Sequence, residues 1–162
     1  MNTRIKKYGN PFNRIVRYLY HSIMFDSSWE LAVWIFCQDH SIHIEREPCI
    51  FWYEVHSEKK RYFVDFKIEE ELVEIKGDHF FDESGKMINP YRHPDWSEEE
   101  YKYSCEIYEA KHQCMLKNGV KILKSADLVE IFAYIDVTYG KKYLKQFKFI
   151  EKQERDIKDI VL

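Results

Sequence analysis

The chain has 162 residues, of which 45% are hydrophobic, 17% aromatic and 33% charged. That is enough apolar material for one packed domain of ordinary size, and five glycines and four prolines are too few for a fibrous or disordered chain. The formal net charge is −3, and the longest apolar run, Leu31 to Cys37, falls far short of the ~20 residues a membrane helix needs.

The N-terminus carries Arg4, Lys6 and Lys7 with no apolar stretch behind them. It does not read as a secretory signal, so a cytoplasmic location is expected. Aromatic residues follow (Tyr8, Phe12, Tyr18, Tyr20, Phe25), and a short helix is predicted from about Phe12 to Ile23. This basic, aromatic segment can track a phosphate backbone, pack as an extra helix or swap into a dimer. Asp26-Ser27-Ser28 reads as a helix start, with Ser27 or Ser28 accepting from the free amides and Glu30 at the positive helix end. The helical spacing of Leu31, Ala32, Trp34, Ile35 and Phe36 carries that helix to about His40.

Extended segments come next. His43 to Arg46, Ile50 to Val55, Arg61 to Ile68 and Leu72 to Lys76 are rich in β-branched and aromatic residues. The polar turns between them, His56 to Lys60 and Glu69 to Glu71, imply an antiparallel meander of three strands. Residues 77–97 hold Gly77, Gly85, Pro90 and Pro94 and form a long loop. Ser97 before three glutamates opens a helix that stops at Asn118-Gly119. Val120 to Leu123 is a short buried strand, and two helices, Ala126 to Tyr139 and Lys141 to Phe149, divide at Gly140. The prediction is a single α/β domain over 1–162. Its core spans about 27–124, flanked by an N-terminal extension (1–26) and C-terminal helices (125–162).

The four cysteines, Cys37, Cys49, Cys105 and Cys114, form no C-x-x-C pair and read as buried thiols. Basic residues cluster at Lys59-Lys60-Arg61 and acidic ones at Glu69 to Glu71. Taken singly, each run is an ordinary solvated face.

One constellation stands out. Asp65 lies in an apolar strand between Val64 and Phe66, and Glu74-Ile75-Lys76 lies in the next strand. Strand alternation puts Glu74 and Lys76 on one face and Ile75 on the other, towards the core. A short meander brings Asp65 beside them. Two carboxylates suit Mg²⁺, which prefers oxygen ligands and keeps several waters, and the Ile75 carbonyl can add a further oxygen. An ammonium at Lys76 can orient an attacking water or offset the charge of a phosphoryl transition state. The competing reading is an ordinary Glu–Lys pair on a half-exposed sheet.

Ser28-Trp29-Glu30-Leu31, Tyr62 to Phe66 and Val73 to Gly77 together resemble the signature blocks of the PD-(D/E)xK, or restriction-endonuclease-like, nucleases. The likeness is strongest to small phage-type endonucleases. It implies an αβββαβ core with a mixed central sheet flanked by helices, and an endonuclease that hydrolyses DNA with Mg²⁺ or Mn²⁺ and no small-molecule cofactor. It implies metal binding by Asp65 and Glu74, catalysis by Lys76, and help from Glu30. By its position alone, Glu30 serves equally well as a first-turn glutamate stabilising its helix. Val64 departs from the family pattern, which has proline there. The spacing also resembles that of resolvases, which cut branched DNA such as Holliday junctions as homodimers; a non-catalytic DNA-binding module is the third reading.

Secondary DNA-contact candidates are Lys59, Lys60 and Arg61, and Lys111 or Gln113 on the helix after the loop. Lys111 and Gln113 cannot share a face. Asp78, His79, Asp82, His93 and Asp95 could form a second metal site, although a DNA-contacting or plain surface loop fits their irregular spacing better.

Overall fold

A computed structural model describes residues 16–150 of the chain. Within them the fold is mixed α/β, with three α-helices and a mixed four-stranded sheet. The strands in chain order are β1 (Val16–Tyr20), β2 (Ile23–Phe25), β3 (Ile44–Arg46), β4 (Ile50–Val55), β5 (Glu58–Phe63), β6 (Phe66–Ile68), β7 (Glu71–Ile75), β8 (Lys121–Leu123) and β9 (Lys148–Ile150). The helices are α1 (Ser28–Asp39), α2 (Glu98–Lys117) and α3 (Val129–Tyr139).

The central sheet has the order β3-β6-β7-β8. β3 and β6, and β6 and β7, pair antiparallel, and β8 returns parallel to β7 after the α2 crossover. Both faces are covered. On the first, Ile44, Phe66, Val73 and Ile75 pack with Leu31 and Ile35 of α1 and Ile135 of α3. On the second, Leu72 and Ile122 pack with Tyr62, Val64, Met87, Cys114 and Met115 under α2. Burying a side chain of this size contributes about 1.5–3 kcal/mol, so the two clusters hold the helices to the sheet.

The expected meander is interrupted in an informative way. β4 and β5 pair with each other in a separate two-stranded arm. The pairs Arg46↔Phe66 and Ile50↔Phe63 leave three residues, Glu47, Pro48 and Cys49, opposite only two, Val64 and Asp65. This is a β-bulge: it bends the ribbon and re-aims the residue beside it. Glu47 sits at φ 44 there, and its amide donates to the Asp65 carbonyl at 3.0 Å. Asp65 therefore stands at a bend between two strands rather than within one long strand.

Two other expectations are corrected. The predicted helix over Phe12 to Ile23 is, in its described part, the β1–β2 hairpin; residues 12–15 lie outside the described residues. His21 and Ser22 both adopt positive φ, 46 and 65, as a tight two-residue hairpin turn requires. The predicted helix from Lys141 to Phe149 is a 3-10 turn, Leu144–Phe147, followed by β9, which pairs antiparallel with β1. The terminal extensions are thus joined as a small sheet, with Tyr18, Tyr20 and Phe147 packed on the first cluster.

The other boundaries follow their sequence signals. Ser27 and Ser97 cap α1 and α2 through their side chains, α2 ends at Asn118-Gly119, and Gly140 (φ 104) closes α3. No helix among the described residues is long and apolar enough to cross a membrane. The four cysteines are free; Cys37 and Cys114 are buried, Cys49 and Cys105 half-buried.

Candidate active site

The candidate residues meet in one open cleft of about 720 Å³ where the ladder between β6 and β7 ends. Glu30, Asp65, Glu74, Ile75, Lys76, Arg61 and Lys111 all line it. Each arrives by a local cause. The last β6–β7 pair is Phe66↔Val73. Beyond it the Asp65 carboxylate takes the place of a main-chain acceptor and binds the Ile75 amide at 2.8 Å. Strand alternation then sends Ile75 into the apolar cluster and Glu74 and Lys76 to the opposite face.

Glu74 is only 4% exposed, the most deeply buried of the three acids, with Asp65 and Glu30 partly buried beside it. The Tyr62 hydroxyl donates to its Oε2 at 2.7 Å. Tyr62 is itself fully buried, so this bond fixes the carboxylate's orientation. Burial pushes Glu74 above its ordinary value, while the charge of Lys111, the Tyr62 hydroxyl and Lys76 pull it back. Asp65 is driven well up by burial, then by the charges of Glu74 and Glu30. Burial and Asp26 push Glu30 up to about 7, with a further contribution from Glu74.

Lys76 lies with Nζ 4.1 Å from the Phe80 ring centroid and 5.8 Å from that of Tyr108, in favourable cation–π geometry. Burial, then Lys111, lowers its pKa. Gly77 follows at once: a Cβ there would come within 2.5 Å of the His79 ring. Lys111 reaches the cleft from α2, its Nζ 5.3 Å from the Tyr62 ring centroid.

Glu30 serves two purposes. Its amide donates to Ser27 Oγ at 3.1 Å, and its carboxylate reaches back to the Asp26 amide and the Ser27 hydroxyl at 3.3 and 3.4 Å. It is therefore a helix-capping residue whose carboxylate also faces Asp65 and Glu74.

No family model matches the chain, and no curated protein or solved structure matches it either.

Five carboxylates line the cleft (Asp26, Glu30, Glu47, Asp65, Glu74) against three basic side chains (Arg61, Lys76, Lys111). Among the described residues no group of three or more His, Cys, Asp or Glu side chains stands where it could hold a metal ion. Magnesium needs less: one or two carboxylates with several waters is its usual protein environment. Asp65 and Glu74 are the pair in this cleft that could hold such a cation.

Several expected contacts are not part of the cleft. Gln113 is exposed and does not line it, consistent with the ~200° between helix positions two apart. Lys60 is half-buried and pairs with Glu58 at 3.5 Å. Lys59 is exposed on the β4–β5 arm, and Arg61 alone of that basic run reaches the cleft. The second metal site in the loop is not formed. Asp82 caps its own turn through Ser84 and Lys86, Asp78 accepts from Ser125, and His93 accepts from the Asp95 amide. The structure adds Tyr62, Phe80 and Tyr108 to the site. For the first the available signal is its place in the Tyr62 to Phe66 block that carries Asp65. The other two come from the loop and α2, whose docking no local pattern reveals.

Proposed function

We propose that the protein is a Mg²⁺-dependent endonuclease of the PD-(D/E)xK type that hydrolyses phosphodiester bonds in DNA. The observation that carries this reading is the convergence of Asp65, Glu74 and Lys76, from two chain segments, on one cleft open to solvent. The element order α1, β3, β6, β7, α2, β8 supports it, being an αβββαβ arrangement once the β4–β5 arm is set aside as an extension. The intact set of two acids and a lysine favours catalysis over a module that only binds DNA. All these side chains come from one chain, so the chemistry needs no second copy.

The site residues divide the work. Asp65 and Glu74 would hold the cation, with Glu30 beside them and Tyr62 keeping Glu74 in place. When bound, magnesium neutralises phosphate charge and acidifies water. Lys76, partly desolvated between Phe80 and Tyr108, stabilises the negative charge that gathers on the phosphoryl oxygens in the transition state. Arg61 and Lys111 offer positive charge to the flanking phosphates. In the net reaction a water oxygen bonds to phosphorus, the bond to one ester oxygen breaks, and that oxygen leaves with a proton.

The test is cleavage of linear, nicked, single-stranded and four-way DNA with Mg²⁺, Mn²⁺ or chelator. Cutting that needs the cation and disappears in Glu74→Gln and Lys76→Ala is the expected result. Undiminished cutting by both folded variants, or none by the wild type with either cation, would refute the proposal.

A further inference from the structure

The β4–β5 arm has one face that the described residues leave uncovered. Its inner side packs under α2 through Tyr62, Phe51 and Tyr53. The tip is pinned there too: Tyr103 donates to Glu58 at 3.0 Å, and His56 bonds Glu106. The arm is therefore a fixed platform. Its outer side presents three cross-strand pairs, Ile50↔Phe63, Trp52↔Arg61 and Glu54↔Lys59, and all six residues are exposed. Trp52 is 63% exposed, unusually high for a residue with so much apolar surface. Arg61 and Lys59 form no ion pair with a described residue; Glu54 is the one acid on this face, opposite Lys59 at the far end. The Arg61 guanidinium carbon lies 5.4 Å from the Phe63 ring centroid.

This row runs into the cleft. Lys59, Arg61 and Phe63 alternate along one face of β5, and Asp65 is the next residue at the same spacing. Arg61, Phe63 and Asp65 all line the cleft. From Lys59 to Phe63 the strand spans about 13 Å at ordinary strand rise, before the bend at Asp65. Cations alternating with exposed rings suit one ligand chemistry, an unpaired polynucleotide strand, whose phosphates meet Arg61 and Lys59 while its bases stack on the aromatic faces. A duplex hides those base faces and gains nothing from an exposed tryptophan.

We infer that the outer face of the β4–β5 arm is a binding platform for single-stranded DNA, with Trp52 and Phe63 as base-stacking residues, and that it leads an unpaired strand to the Asp65–Glu74–Lys76 cleft. The inference rests on the nuclease reading for what happens at the cleft but not for the binding itself. It makes the preferred substrate a DNA with an unpaired stretch next to the scissile phosphate.

The experiment is fluorescence anisotropy of the full chain with labelled oligo(dT) and with a duplex of equal length, in chelator so that nothing is cut. Wild-type protein should bind oligo(dT) more tightly than the duplex. Trp52→Ala should weaken oligo(dT) binding by about tenfold, the usual effect of losing one stacked base. Trp52→Phe should restore most of it, and Val137→Ser, an exposed change on α3, should leave it unaltered. Circular dichroism and melting establish that each variant is folded. Equal or tighter duplex binding, or an oligo(dT) affinity indifferent to Trp52→Ala, overturns the inference. So does a wild-type dimer in sedimentation that Trp52→Ala converts to monomer, because the face would then belong to a second copy. Loss of the nuclease reading shows separately, as absence of cation-dependent cutting while the Trp52 effect on binding persists.

Discussion

Val73 and Ile75 on one face of β7 and Glu74 on the other are buried to nearly the same degree, and their chemistry is opposite. Val73 and Ile75 are 2% and 6% exposed and pack among Leu31, Ile35 and Phe66. Glu74, between them in sequence, is 4% exposed and meets Tyr62 and the cleft. Placing a carboxylate where the opposite face takes valine and isoleucine is unfavourable for folding unless it is paired or protonated. The first face is apolar where β7 meets the core, while the second, apolar at Leu72, also keeps a charge in a position that stability alone would not select. A strained electrostatic site supported by a conventional core is the pattern expected where function competes with stability.

The largest test of that contrast is Glu74→Gln. It preserves shape and an oxygen that accepts from Tyr62, while removing the charge. Cleavage is expected to fall about 10³-fold, comparable to the loss of a principal transition-state stabiliser. In chelator, the melting temperature should stay level or rise, because a like-charge neighbour of Asp65 has been removed. A variant that cuts normally, or that melts far below wild type, breaks the division between the faces.

The second test is pH. Glu30 titrates at about 7 in the folded chain against 4.5 as its ordinary value, chiefly because it is buried and then because Asp26 is near. The folded state therefore binds this proton more tightly than the unfolded state. The associated stability is fully present below about 4.5, declines as pH rises, and is lost above about 7. Asp65 and Glu74 shift in the same direction. Denaturant titrations in chelator should show stability falling between pH 5 and 8 by an amount on the order of 3 kcal/mol. Millimolar Mg²⁺ should reduce that fall. Stability that rises with pH over this window would contradict the crowding of acids.

The third test probes the apolar face. Val73→Ala should cost about 2 kcal/mol in denaturant melts, from lost transfer energy and the cavity left behind. Cleavage per folded molecule should remain close to wild type. A disproportionate loss of cutting would mean that core packing positions the carboxylates more tightly than the bulge and the Tyr62 bond account for.

Much of this arrangement was legible in the sequence because it depends on local rules. Alternation alone puts Glu74 and Lys76 on one face and Ile75 on the other, and Ser27, Ser97 and Asn118-Gly119 mark helix ends by capping chemistry. What escaped depends on partners distant in the chain. The bulge at Glu47, Pro48 and Cys49 exists only relative to Val64 and Asp65, so reading Arg61 to Ile68 alone gave one strand where there are two. Lys148, Phe149 and Ile150 become a strand because β1 offers an edge more than 120 residues earlier, and nothing near Lys141 announces it. Tyr62 became a site residue only once its hydroxyl was seen on Glu74.

The smallest expected effects separate the two purposes of Glu30, since α1 shows the same division as β7: Leu31 and Ile35 pack on the core while Glu30 lines the cleft. Ser27→Ala removes the hydroxyl that accepts from the Glu30 amide and should cost about 1 kcal/mol, as loss of an N-cap does. Cutting should stay within a few-fold, because the Glu30 carboxylate remains held by the Asp26 amide. Glu30→Gln reverses the pattern: a neutral amide can still accept from that amide, so stability should hold, while the cleft loses an acid and cleavage should drop by about tenfold or more. If Glu30→Gln costs stability as Ser27→Ala does and leaves cutting intact, Glu30 is a cap and nothing else, and the chemistry belongs to Asp65, Glu74 and Lys76 alone.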